Sequence, residues 1–203
     1  MKLTLDQRLE QILPRITSPE FLSGKGIGNE IACYNFDYSP EDELEVRRHR
    51  QWLVERIASH HASIKCLHLN LLDVVTDYLR ERGLLEKAIA MQASKGDAGV
   101  LRALKGPLGA EKVRDYIAAR HRPADFDLVL MSGVGSVWPM LRAHSLLNCL
   151  HTIMGTRPLV MFYPGSFDGV TLRLFGQIAT AASPPGTKSY YRAFILVPGE
   201  GSK

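Results

Sequence analysis

Apolar residues recur along this chain with two periods, and the alternation between them points to a fold class. Leu5, Leu9, Ile12 and Leu13 share one side of a helix expected over Leu3 to Ile16, with Pro14 and Pro19 limiting its run. A glycine-rich loop, Ser23 to Gly28, leads into an aromatic-rich strand over Glu30 to Tyr38. Ser39-Pro40-Glu41-Asp42 has the form of a helix start: a capping hydroxyl, a proline at the first helical position and an acid three residues after the cap. In the helix that follows, Glu43 stands four residues before Arg47, a stabilising spacing, and the charged run reads as a solvated face.

The same reading continues downstream. Ile64 to Leu69 is a strand, and Leu71 to Arg82 a helix that buries Leu71, Val74, Val75, Tyr78 and Leu79, with Gly83 placed to end it. Leu84 to Ala93 and Ala110 to Arg120 are helical, and the glycine-containing stretch between them belongs to a polar helical insertion, residues 84–121. Phe126 to Met131 and Pro158 to Tyr163 are short apolar runs between turn signals, the pattern of parallel strands buried on both faces. The helix between them carries Met140, Ala143, Leu147, Leu150 and Met154 at helical spacing. Thr171 to Ile178 fits a strand or a helical turn, and Tyr190 to Val197 is a last strand. Strands alternating with helices imply βαβ crossovers. The expectation is one α/β domain over residues 1–203, a three-layer sandwich with a mostly parallel central sheet and an α-helical insertion.

Composition narrows the function classes. The chain has 203 residues, 45% of them hydrophobic, which is enough to sustain a core without staples. No apolar stretch approaches the roughly 20 residues of a membrane-spanning helix, and the first residues lack the pattern of a signal peptide. Cys33, Cys66 and Cys149 are odd in number and widely spaced, which favours buried free thiols, no zinc site and a cytoplasmic setting. The formal net charge of +4 is mild, with basic and acidic residues mixed. Direct nucleic-acid contact, through Arg47, Arg48 and Arg50, is therefore the less favoured reading.

Ligands of open α/β sheets bind beyond the carboxyl ends of the strands. Those ends offer Asp37, Asn70 with Asp73, the loop Ser132 to Ser136, and the loop Pro164 to Gly169. Gly133, Gly135 and Ser136, with Arg142 downstream, form a candidate anion site, since glycines let a backbone approach an anion. The spacing departs from both standard phosphate loops: Trp138 stands where a third glycine would be, and no Lys-Ser or Lys-Thr closes the glycine loop. Asp168 before Gly169 reads as a turn residue, and Ser166 lacks a nucleophile-elbow context. His144 and His151 share a face without a third metal ligand, and His60-His61 end a helix. No intact catalytic signature, metal site or cofactor site emerges, so no enzymatic activity is expected.

Several separated segments carry a resemblance. Gly28-Asn29-Glu30, Phe36 to Leu44, Gly133 to Pro139 with Arg142-Ala143-His144, Leu159 to Gly165, Leu172 to Gly176 and Tyr190 to Phe194 together resemble the BrxB family. That family comprises small core components of the bacteriophage exclusion (BREX) defence systems of bacteria. The similarity runs from Leu3 to Val197. It implies a role in phage defence beside a DNA methyltransferase, an ATPase and PglZ, a member of the alkaline-phosphatase-like superfamily. It assigns no catalytic residues. The expected function is a non-catalytic adaptor binding the PglZ-like subunit, with Trp52, Trp138, Arg142, Tyr163 and Tyr191 as candidate interface anchors. The alternatives are a degenerate nucleotide- or anion-binding domain with a regulatory or weak hydrolytic role, and a DNA-contacting subunit of the same assembly.

Overall fold

Thr4 opens the first helix with a capping box: its hydroxyl accepts from the Gln7 N–H, and its own N–H donates to the Gln7 side chain. The computed structural model describes residues 3–24, 32–168, 172–175 and 193–198. In place of one helix over Leu3 to Ile16 there are two, α1 (Leu5–Glu10) and α2 (Ile12–Ile16), followed by α3 (Pro19–Ser23). The restart at Gln11 puts Pro14 in the first turn of α2, where a missing N–H costs nothing.

Next come β1 (Cys33–Tyr38), α4 (Glu43–His60), β2 (Cys66–Asn70) and α5 (Leu71–Glu81). The expected Ser39 cap does not form. Its hydroxyl donates to Glu41 Oε1 at 2.8 Å, Pro40–Asp42 make a 3-10 turn, and α4 starts at Glu43. The insertion is α6 (Leu85–Leu104), kinked at Gly96, and α7 (Ala110–His121). Then follow β3 (Leu128–Ser132), α8 (Val134–Val137), α9 (Ala143–Met154), β4 (Leu159–Phe167), β5 (Leu172–Leu174) and β6 (Ala193–Ile195). The single helix expected after β3 is split into α8 and α9. Trp138, which precedes a proline, takes an extended backbone (ψ 138°) and ends α8. Within the stretch expected as strand or helical turn, residues 172–175 are described, and Leu172–Leu174 form the strand β5.

The sheet runs β2-β3-β4-β1-β6, each neighbouring pair parallel, and β5 pairs antiparallel with the far end of β4. Side chains alternate across it. Val129, Met131 and Met161 join the core beneath α5 to α9, while Leu128, Leu130, Val160 and Phe162 join the core beneath α1 to α4. This is the expected three-layer α/β arrangement with a mostly parallel sheet. Among the described residues, no helix is long and apolar enough to cross a membrane.

The three cysteines are free. Burial pushes the thiols of Cys33 and Cys66 up to about 12, so both stay protonated near pH 8, and a protonated thiol is a poor nucleophile. Both side chains are only partly buried, so iodoacetamide at pH 8 is expected to modify both slowly in the native protein and rapidly in urea, read by peptide mass spectrometry. Labelling of either in the native protein as fast as in urea would contradict the raised thiol pKa.

Candidate functional site

The candidate residues of the carboxyl edge lie on the turns leaving β1, β2, β3 and β4. Asp37, at the end of β1, is fully engaged. Arg8 Nη2 donates to its carboxylate (3.0 Å), to its backbone carbonyl (2.8 Å) and to the Val197 carbonyl (3.1 Å). The Arg8 guanidinium also lies 4.6 Å from the centroid of the Phe36 ring. The other Asp37 oxygen accepts from the Phe167 N–H at 3.0 Å. Asp37 thus latches α1, β1 and the end of β4 together, and its partner Arg8 was not singled out in the sequence.

Asn70 caps α5, its side-chain oxygen accepting from the Leu72 N–H at 3.2 Å. The turn after β3 packs directly against this cap. Gly133 has φ +74°, and a Cβ there would stand 2.2 Å from Asn70 Oδ1. A Cβ on Gly135 would stand 2.8 Å from the Phe175 ring and 3.0 Å from Pro164. Both glycines are therefore explained by close packing of the protein's own side chains. Ser136 is exposed on α8, and Arg142 is exposed beyond the Trp138-Pro139 break as the residue preceding α9, so the cation of the sequence-derived anion site sits on a separate helix.

One pair not grouped by the sequence meets nearby. His68 Nε2 lies 2.9 Å from Ser132 Oγ. Burial, and then the charge of Arg50, push the His68 imidazole down to about 4. Arg50 is 9% exposed, and its Nε has no hydrogen-bond partner. The signal was present: Val46, Arg50, Leu53 and Ile57 form the buried stripe of α4, and an arginine holds a core position in it. The basic run of α4 is accordingly divided, with Arg47 and Arg48 exposed and Arg50 inside, which removes one member of the nucleic-acid face considered as the less favoured alternative.

The interface candidates also separate. Trp138 is 49% exposed and meets Phe175, 40% exposed, edge-on at 6.2 Å. Leu72, at the start of α5, is 40% exposed. Trp52 is 45% exposed on α4, beside His49. Tyr163 is buried within the core, and burial raises its hydroxyl pKa, so it presents no surface. Tyr191 lies outside the described residues, as does the side chain of His144. Asp168 pairs with Arg173 at 3.2 Å on the surface. Among the described residues, no three His, Cys, Asp or Glu side chains converge as a metal site would require.

Residues 67–196 match the family model described as BREX protein BrxB. A BREX protein BrxB of Escherichia coli O9:H4 (strain HS) is 38% identical over 197 residues, 97% of this chain and 94% of that protein. A BREX protein BrxB of Bacillus cereus (strain H3081.97) is 40% identical over 197 residues, 95% of this chain and 97% of that protein. No solved structure matches the chain. With the family model spanning β2 to β6 and both relatives aligned over nearly their full lengths, the chain belongs to the BrxB family of BREX proteins.

Proposed function

We propose that this chain is a non-enzymatic adaptor of a bacteriophage exclusion assembly, and that it docks a PglZ-like subunit of the alkaline-phosphatase-like superfamily. Family membership supports the assembly. The exposed pair Trp138 and Phe175 carries the docking reading. Interface hot spots are enriched in tryptophan, tyrosine and arginine set in a surrounding apolar patch. Here Trp138 and Phe175 stand on the carboxyl edge near exposed Leu72, with exposed Arg142 four residues after Trp138 and Arg173 two before Phe175. Phe175 is anchored from below, and Trp138 stands edge-on to it. Phe175 packs over Gly135, and its N–H donates to the Pro164 carbonyl at 2.9 Å. A preformed patch loses little side-chain entropy on binding.

The test is co-purification with the PglZ-like subunit from cells expressing the whole operon, then size-exclusion chromatography at micromolar concentration. Co-elution is expected. Trp138→Ala should weaken the complex by about 2 kcal/mol or more, roughly 30-fold, as truncated hot spots do. Arg142→Glu should weaken it while leaving the fold intact, and Trp52→Ala, on the outer face of α4, should change it less. If the two proteins elute separately while phage defence still depends on this chain, the adaptor reading fails. Phosphate release from ATP by the isolated chain above background would return it to the enzymes.

A further inference from the structure

We propose that the outward stripe of α4 formed by Leu44, Arg48, Trp52 and Arg56 is a second docking surface, and that it takes an acidic amphipathic helix of another component of the assembly. The inference rests on the adaptor reading only in placing the chain within an assembly. It does not depend on which partner the Trp138 and Phe175 patch takes.

The stripe differs from its neighbour on the same helix. Residues four apart share a helix face. Along the adjoining stripe the polar groups satisfy one another: Arg47 pairs with Glu43 at 3.4 Å, and Gln51 donates to Glu55 at 3.1 Å. The stripe that starts at Leu44 has no such pairing. Leu44 is 69% exposed and Trp52 45%, with Trp52 braced on one side by the His49 ring at 5.1 Å. Arg48 and Arg56 stand one turn to either side of Trp52, both exposed and, among the described residues, in no ion pair. Glu45 acts on Arg48 only at longer range, and Arg56 donates to the His60 imidazole at 3.0 Å. An exposed tryptophan between arginines has the composition of an interface hot spot.

Charge and spacing select the occupant. Arg48 and Arg56 are two helical repeats of four residues apart, about 12 Å along the axis. A second helix laid beside α4 repeats that spacing, with apolar residues against Leu44 and Trp52 and Asp or Glu against the two arginines. Duplex DNA fits less well. Phosphate binding grows with the number of cations engaged, and this stripe offers two, separated by a tryptophan and bordered by Glu55. A second copy of this chain also fits less well, because its own stripe holds no acid to meet either arginine. The surface is separate from the first one. Val46, Leu53 and Ile57 of α4 pack on one side of the sheet, while Val134 and Val137 of α8, which leads into Trp138, pack on the other. One chain thereby offers two faces to two partners, as a bridging adaptor must.

The direct test is fluorescence anisotropy with the full chain and a synthetic helical probe of about 20 residues, long enough to hold a helix, carrying Leu and Glu alternately at four-residue spacing. Saturable binding is expected, weakened roughly tenfold or more in Trp52→Ala and in Arg48→Glu, as truncated interface anchors are. A probe with Lys in place of Glu should fail to bind the parent and should bind the Arg48→Glu, Arg56→Glu double variant, a charge swap that a folding defect does not produce. In co-purification from cells expressing the whole operon, Arg48→Glu should release a component other than the PglZ-like subunit, which Trp138→Ala releases. The proposal is overturned by no saturable binding of the Glu probe, by equal binding of both probes, or by release of the PglZ-like subunit with Arg48→Glu. Duplex DNA that binds the parent and not Arg48→Glu, or a dimer of the chain alone that Arg48→Glu dissolves, would assign the stripe to a different occupant and overturn it too. Failure of Trp138→Ala to weaken the PglZ-like complex would instead overturn the first docking patch alone.

Discussion

Arg8→Ala is expected to lower the unfolding free energy by about 3–5 kcal/mol, the usual cost of breaking a buried ion pair from one side. Arg8 is 6% exposed, and one of its nitrogens reaches three oxygens on two separate segments, Asp37 and Val197. Removing it leaves the Asp37 carboxylate, 13% exposed, beside the apolar core with only the Phe167 N–H as a partner. It also removes the cation held over Phe36. Urea unfolding followed by circular dichroism measures the loss. Arg47→Ala is the comparison: that residue pairs with Glu43 on the exposed face of α4, and its loss should cost about 0.5 kcal/mol or less. Equal effects of the two substitutions would mean that Arg8 is not the latch described.

Gly133→Ala is expected to cost about 2–4 kcal/mol. A left-handed backbone costs an L-residue roughly 1–2 kcal/mol, and φ at Gly133 is +74°. The added methyl would also lie 2.2 Å from Asn70 Oδ1, so the α5 cap must give way, and a lost cap costs about 0.5–2 kcal/mol. Gly106→Ala is the contrast. Its backbone is not left-handed and a Cβ there meets nothing within 4 Å, so it should be neutral or stabilising by up to about 1 kcal/mol. If Gly133→Ala melts with the parent protein, the contact between the turns after β2 and β3 is not the reason for the glycine.

What was legible in the sequence is what local physics dictates. The apolar runs Phe126 to Met131 and Pro158 to Tyr163 could satisfy their burial only as central strands, and they became β3 and β4. The periodic Leu71, Val74, Val75, Tyr78 and Leu79 required a one-sided helix, and Gly83 took the left-handed turn after it (φ +62°). Boundaries depended on competition between neighbours. Glu41 captured the Ser39 hydroxyl, and Pro139 divided a helix whose apolar spacing looked continuous. The edge of the sheet depended on approaches between residues far apart in the chain. Arg8 meets Asp37 across 29 positions, His68 meets Ser132 across 64, and Phe167 meets Asp37 across 130. No spacing rule encodes such pairs. They arise because parallel strands joined by crossovers bring their carboxyl ends together whatever their separation in sequence. The glycines of the Ser132 to Ser136 loop show the difference most clearly. The sequence established that small residues were needed there, while the tertiary structure decided that the space beside them belongs to Asn70 and Phe175.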